Sequence, residues 1–188
     1  MTCLVELWLP ILVSGVSVFA ASTLLHMFLP IHKGDYGKLP DEERVLGAMR
    51  EHGVEPGQYT FPCPGSMKEM CTPEMKAKYD QGPVGLMIVR PRGTPNMGAC
   101  LLGWFLYGLL VSLFVGYVTR LAALPGAEWL PVFRVSATVG VLAYGVTALQ
   151  DSIWKGQRLG TSLKYLFDGL VYGLVTGVVF GWLWPAAS

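Results

Sequence analysis

The residues of this sequence best suited to chemistry are two histidines and an aspartate in the stretch LLHMFLPIHKGD (Leu24–Asp35). Imidazole nitrogens and carboxylate oxygens bind transition metals and exchange protons, so His26, His32 and Asp35 are candidates for a metal or proton-handling site. Pro30 breaks a helix between the two histidines, and their mutual geometry therefore cannot be read from spacing. The alternative role is that of interfacial polar anchors that hydrogen-bond a helix end, and this is the role we expect.

A second candidate is Asp168, which lies inside an apolar stretch near the C-terminus. An ionisable group at membrane depth is costly to bury and is a functional hypothesis by default. On a helix, Asp168 and Tyr172 lie about 40° apart, both beside a row of glycines. We expect them to form a polar cluster with His26 and Asp151. A structural hydrogen-bond network is the preferred interpretation of this cluster, and a transport or proton site is the alternative.

Arg134 is the other charge at membrane depth, about four residues into its own apolar stretch. About 15 Å of helix rise separates it from Asp168, so we do not expect the two to pair. Its long side chain is expected to reach outward to the membrane surface.

No motif in the sequence predicts a catalytic residue or a cofactor. Cys63 and Cys71 are separated by seven residues, and the chain has no second pair to complete a four-ligand zinc site. A haem held by two histidines inside the membrane is excluded for the chain alone, since only His26 lies in an apolar stretch. There is no HExxH, phosphate-binding loop or nucleophile elbow. We therefore predict no cofactor and expect a protein that is not an enzyme.

Four apolar stretches must position these side chains. They are Leu7–Leu29, Met97–Thr119, Pro131–Leu149 and Tyr165–Trp184, each close to the roughly 20 residues that cross a bilayer. The chain is 52% hydrophobic and only 14% charged, whereas soluble domains average about 25% charged. Its net charge of +1 offers no basic face, which excludes a nucleic-acid partner. The first stretch lacks the basic start of a signal peptide and is interpreted as an uncleaved span.

The basic residues predict how the spans are oriented. Twelve of the 14 lysines and arginines fall in residues 31–92 or in the connection before the fourth stretch, and only Arg120 and Arg134 lie on the other side. The positive-inside rule places both termini outside and residues 31–96 in the cytoplasm. The tryptophans fit two interfacial belts. We expect a bacterial inner membrane, from the glycine usage and the absence of targeting motifs.

The chain is predicted to fold as an all-α membrane protein of four transmembrane helices with a small cytoplasmic α/β insert. Residues 1–30 form the first helix, 31–96 the insert, and 97–188 the three helices that complete a four-helix bundle. Within the insert we expect helices over Leu39–Gly53 and Thr72–Gly82 and strands over Gln58–Pro62 and Val84–Arg90, from their capping residues and alternation.

Small residues recur along the apolar stretches at spacings that suit close helix packing. The fourth carries a glycine at every fourth position, and the second and third carry shorter versions. In lipid, small residues let helix backbones approach and gain dispersion contacts. The predicted packing residues are Gly169, Gly173, Gly177, Gly181, Gly108, Ser112, Gly116, Ser136 and Gly140. The sequence leaves open whether these rows face this chain or another subunit.

Three functions are consistent with this pattern. Packing rows without a catalytic constellation favour an accessory or assembly subunit of a larger membrane complex, which is the prediction we prefer. The second is a small oligomeric transporter or channel that uses Asp168, Tyr172 and His26. The third is a membrane enzyme or metal site at His26, His32 and Asp35. The expected partners are the lipid bilayer and either other membrane subunits or further copies of the chain.

Overall fold

The computed structural model describes residues 4–187, so Cys3 and the expectation that it lies at the outer end of the first span fall outside it. The described chain is mostly helical and divides into two compact units. One unit ends at Asp35 and resumes at Asn96, and the other is the segment Tyr36–Pro95 between them.

Within residues 4–187, four helices are long and apolar enough to cross a membrane, which confirms that part of the predicted fold. They are Trp8–Phe28, Met97–Ala122, Trp129–Trp154 and Leu159–Trp182, called here the first to fourth spans. The third ends five residues beyond Leu149 and the fourth begins six residues before Tyr165. The prediction ended both at the apolar boundary, but a helix continues into polar residues as long as its backbone hydrogen bonds continue.

Two of the spans are irregular at matching ends of the bundle. The first runs as α1 (Trp8–Thr23) and then widens into a π-helical turn at Leu24–Phe28. The third consists of α6 (Trp129–Val141), a π-helical turn at Leu142–Val146 and α7 (Ala148–Trp154). The second and fourth spans are single helices, α5 (Met97–Ala122) and α8 (Leu159–Trp182). Single π-helical turns inside α-helices often mark functional sites.

In the fourth span, the predicted packing residues Gly169, Gly173, Gly177 and Gly181 all face the third span. A Cβ on Gly173 would lie 2.5 Å from both Cγ2 and the backbone nitrogen of Val141. One on Gly177 would lie 2.7 Å from the Ala137 Cβ, and one on Gly181 2.5 Å from the Trp129 indole. Gly169 lies against the backbone of Gly145, where a Cβ could not be accommodated. The row therefore packs against one antiparallel neighbour within the chain, over residues 169–181 of the helix.

The other small residues lie at the remaining contacts between spans. Gly140 lies against Gly173, Gly116 against Phe180, and Gly108 near Gly15. The Ser112 hydroxyl donates to Ser14 (3.2 Å), which donates to Thr176 (3.2 Å), so three spans share one buried chain of hydroxyls. Ser136 instead donates to the Val132 carbonyl of its own helix (2.6 Å).

The Tyr36–Pro95 unit holds a small antiparallel sheet and three short helices. Strand β1 (Gly57–Phe61) pairs with β2 (Gly85–Val89), with Gly57 opposite Val89. Helix α4 (Pro73–Gln81) begins as predicted, with the Thr72 hydroxyl accepting from the Met75 backbone N–H (3.3 Å). Helix α2 covers only Glu42–Glu51, because the chain at Asp41 is still non-helical and Pro40 lies outside. Helix α3 (Met67–Met70) was not predicted.

Candidate metal centre

Three elements bring two histidines and an aspartate together at one end of the spans. His26 lies on the π-helical turn that ends the first span. After Pro30 the chain makes a 3-10 turn over Pro30–His32, which folds the His32 ring back onto His26, with centroids 4.2 Å apart and planes 20° from parallel. Asp168 projects from the fourth span, one residue before the glycine that touches Gly145. The break in the helix at Pro30, which prevented a prediction of this geometry from spacing, is therefore the feature that brings the two rings together.

One carboxylate oxygen is shared by both imidazoles. Asp168 Oδ2 lies 3.0 Å from His32 Nε2 and 3.4 Å from His26 Nε2. One ligand atom from each of the three side chains lies within 4.8 Å of the others. The Asp168 side chain is 3% exposed and that of His26 is 40% exposed, so the group is closed on the bundle side and open beyond His26.

The atoms that converge are not satisfied by hydrogen bonds. His32 Nε2 and both carboxylate oxygens of Asp168 are buried without a hydrogen-bond partner among the described residues. The 3.0 Å contact between Nε2 and Oδ2 is therefore a close approach without hydrogen-bond alignment. Buried polar groups are nearly always paired, and an exception can mark strain, a functional role or a position suited to a water or an ion.

The other nitrogen of His32 is firmly held. Its Nδ1 lies 2.6 Å from Asp35 Oδ2, and the Lys164 ammonium donates to Asp35 Oδ1 at 2.6 Å. A carboxylate accepts only, so Nδ1 carries the proton and, in the neutral ring, Nε2 presents a lone pair toward Asp168. Two acceptors then face each other, and a positive charge between them, either a proton or a metal ion, is required to hold them at this distance.

Asp35 itself remains ionised. Burial alone raises the pKa of Asp35, but the hydrogen bonds and charges of Lys164 and His32 outweigh burial and bring this pKa below its ordinary value of 3.8. Its side chain is only 1% exposed, and both of its oxygens are engaged. Asp35 therefore acts on His32 and is not one of the converging groups. The sequence indicated Asp35 as a candidate metal ligand with the two histidines. In the structure, the carboxylate that lies beside both imidazoles is that of Asp168.

The two distances from Asp168 Oδ2 are compatible with ligands around one ion. Zinc binds histidine nitrogen and carboxylate oxygen at about 2.0–2.2 Å, so two ligands at a tetrahedral angle are about 3.3 Å apart. The observed separations from Asp168 Oδ2, 3.0 and 3.4 Å, bracket that value. A carboxylate that hydrogen-bonds the second nitrogen of a metal-binding histidine is the usual outer partner in such sites, and Asp35 has that position.

The remaining residues of the predicted polar cluster have other surroundings. Asp151 pairs with Lys155 on its own helix (2.7 Å), partly exposed, and none of its described contacts reaches Asp168. Tyr172 is 3% exposed and packs against Tyr144 and Trp104, with ring centroids 5.7 and 6.0 Å away. Its hydroxyl has no hydrogen-bond partner among the described residues. The structure thus brings His26, His32 and Asp168 together, with Tyr172 one helical turn away.

Two further residues, Lys164 and Tyr165, adjoin this cluster, and the sequence did not predict their contacts. Lys164 binds Asp35 across 129 positions of sequence, and the Tyr165 ring lies 5.3 Å from that of His32. Both residues are one turn before Asp168 on the same helix, a spacing that could have indicated a shared face. No sequence pattern could have predicted the contact between Lys164 and Asp35, because that contact depends on the path of the chain after Pro30.

No family model, curated protein or solved structure matches this chain. Its function must therefore be argued from the geometry of its own residues.

Proposed function

We propose that this chain is an integral membrane metalloprotein whose function centres on a divalent transition-metal ion held by His26, His32 and Asp168. The observation that supports this proposal is that ligand atoms of the three side chains lie within 4.8 Å of one another, while His32 Nε2 and both Asp168 oxygens are buried without an aligned hydrogen bond among the described residues. The competing explanation is an ion pair between Asp168 and a protonated His32. It leaves both oxygens of Asp168 without an aligned hydrogen bond, which a buried carboxylate normally has.

The set of ligands favours a particular class of ion. Calcium and magnesium prefer oxygen ligands, whereas two imidazoles and one carboxylate suit zinc, iron(II) and neighbouring metals. Structural zinc sites use four protein ligands, and a site with three keeps a position for water or another ligand. This arrangement favours an exchangeable ligand on the open side beyond His26, where the ion can polarise that ligand or lower the pKa of a bound water.

The placement in a membrane is part of the same proposal. Four long apolar helices support it, and the basic residues favour a cytoplasmic site with both termini outside. The glycine usage and the absence of targeting motifs favour a bacterial inner membrane. The accessory-subunit and transporter predictions remain untested. A metal centre is compatible with either, since such an ion can serve a complex, a transport path or a reaction.

The test is metal binding by the full chain, purified in mild detergent. We expect about one zinc or iron ion per chain by elemental analysis, and a rise in thermal stability when metal is returned to chelator-treated protein. At 100 times Kd, binding adds about 2.7 kcal/mol of stability. Asp168→Asn and His32→Gln should each remove both effects.

Two variants serve as matched controls. His52→Gln changes a histidine in the Tyr36–Pro95 unit, and Asp151→Asn changes a carboxylate near the same end of the spans. Both should retain the ion and the stabilisation. Wild-type protein that binds no transition metal and gains no stability from it, while remaining helical and monodisperse, would favour the protonated ion pair and overturn the proposal.

A further inference from the structure

A groove of about 330 Å³ lies on the outer face of the third and fourth spans, at the opposite end from the metal centre. Its walls are mostly apolar, and Arg134 is the only charged residue among them. The lining residues are Phe133, Arg134, Ala137, Thr138, Val141, Leu142 and Leu174. The groove lies beside the glycine contacts, where Ala137 and Val141 touch Gly177 and Gly173 and the two helices come closest.

Among the described residues, the charge in this groove has no counter-ion within ion-pair distance. Arg134 is exposed, and among the ion pairs of residues 4–187 none involves it. By contrast, Arg120 near the same end donates to the Ala123 carbonyl (3.2 Å). An unpaired guanidinium beside apolar walls presents five donors to an anion, with phosphate the best geometric match.

The polarity along the groove matches that of a lipid. The third span begins at Trp129, so Arg134 lies about 7 Å along the helix and Leu142 about 20 Å along it. Half a bilayer core is about 15 Å thick, so the groove runs from the interface, where Arg134 lies, to near the midplane. A headgroup phosphate at Arg134 would place an acyl chain along Thr138, Val141 and Leu174.

The size of the groove argues against a protein helix as occupant. Spread over the roughly 12 Å from Arg134 to Leu142, 330 Å³ gives a cross-section of about 30 Å². A helix with side chains is 10–12 Å across and needs about three times that area. An inorganic anion alone would leave the apolar walls without a partner.

We propose that this groove binds one acyl chain of an anionic phospholipid, with its phosphate on Arg134. The inference rests on the membrane placement proposed above but not on the metal, so either can fail alone.

The test is native mass spectrometry of the delipidated full chain, titrated with phosphatidylglycerol and with phosphatidylcholine of the same acyl chains. One cation near the membrane surface contributes about 1 kcal/mol, so we expect a roughly fivefold preference for phosphatidylglycerol at the first bound lipid. Arg134→Gln should abolish the preference. Thr138→Phe should weaken binding of both lipids by filling the groove. The substitution removes no contact between helices, because the Thr138 hydroxyl bonds only the Arg134 carbonyl of its own helix.

Arg158→Gln is the control, since Arg158 is an exposed arginine at the other end of the fourth span, and it should keep the preference. Equal binding of the two lipids by the wild type, or a preference that survives Arg134→Gln, would overturn the proposal. So would displacement by inorganic phosphate at equal concentration, or a protein dimer that Thr138→Phe disrupts, because these outcomes identify a free anion or a second copy as the occupant.

Discussion

Asp168 is the residue whose position is hardest to explain without a function. A carboxylate within a span costs about 2.5–3.5 kcal/mol on insertion scales, and this one has no aligned hydrogen bond to offset that cost. An apolar residue at its position would pack beside Gly169 at no such penalty. The site differs from a simple buried charge because a chain of hydrogen bonds supports it: Lys164 donates to Asp35, and Asp35 accepts from His32.

At the scale of single residues, we predict that Asp35→Asn and Lys164→Met each weaken binding of the proposed metal ion without removing any of its ligands. Outer partners of metal-binding histidines typically contribute 10–100-fold in affinity, so the metal Kd should rise by that factor. Competition with a chelator of known affinity measures the change.

Lys155→Met is the matched control, since it breaks an exposed pair with Asp151 on the same side of the molecule. If Lys164→Met binds metal as tightly as Lys155→Met does, the positioning role of the Lys164–Asp35 pair is wrong, whatever the ligands are.

At the scale of elements, the contact between the third and fourth spans determines where Asp168 points. The glycines of the fourth span allow its backbone to approach Gly145, Val141 and Ala137 at distances that leave no room for a Cβ. The π-helical turn at Leu142–Val146 lies in this contact, and the one at Leu24–Phe28 carries His26. One irregular turn therefore carries a residue of the candidate metal centre, and the other packs against Gly169, the neighbour of Asp168.

We predict that Gly173→Leu destabilises the bundle, because the backbone of Val141 cannot move aside as a side chain could. Overpacking typically costs about 1–3 kcal/mol, and the loss should appear as a lower unfolding temperature in detergent. Gly103→Leu is the control, because nothing lies within 4 Å of a Cβ at that exposed position in the second span. Equal stability of the two variants would show that the contact is not as close as described.

Hydroxyl bonding between spans should matter less than this packing. Thr176→Val keeps the shape of the side chain and removes its bond with Ser14 (3.2 Å). Hydrogen bonds between membrane helices average about 0.6 kcal/mol, so we expect a loss below about 1 kcal/mol in the same unfolding measurement. A loss larger than that of Gly173→Leu would contradict this ranking.

At the scale of the whole molecule, the distribution of charge sets the proposed orientation. The free thiols of Cys63 and Cys71 are exposed in the Tyr36–Pro95 unit, which the basic residues assign to the cytoplasm. Cys100 in the second span is also exposed, so labelling of the unit requires its removal.

We predict that Cys63, as the only cysteine left after Cys3, Cys71 and Cys100 are changed to serine, reacts with an impermeant maleimide only after bacterial cells are opened. In a cysteine-free background, Ala187→Cys near the C-terminus should react in intact cells. The reverse pattern would invert the bundle and place the candidate metal centre outside.

The sequence predicted a good part of this fold. Apolar length identified the four spans, since few structures other than a membrane helix require twenty such residues. Local capping at Thr72 predicted α4, and alternation predicted both strands. The boundary at Pro40 was wrong because a proline suited to a first turn does not by itself start a helix.

What the sequence determined by itself was therefore local or additive: the spans, the charge asymmetry, and glycines spaced for close contact. Only the tertiary structure decided that those glycines face the third span, and that Asp168 lies beside both His26 and His32 while Asp35 bonds the other nitrogen of His32. The physical reason is that spacing along one helix gives the direction of a side chain but not its partner. Here the partner depends on how the chain turns after Pro30, through contacts between residues more than a hundred positions apart.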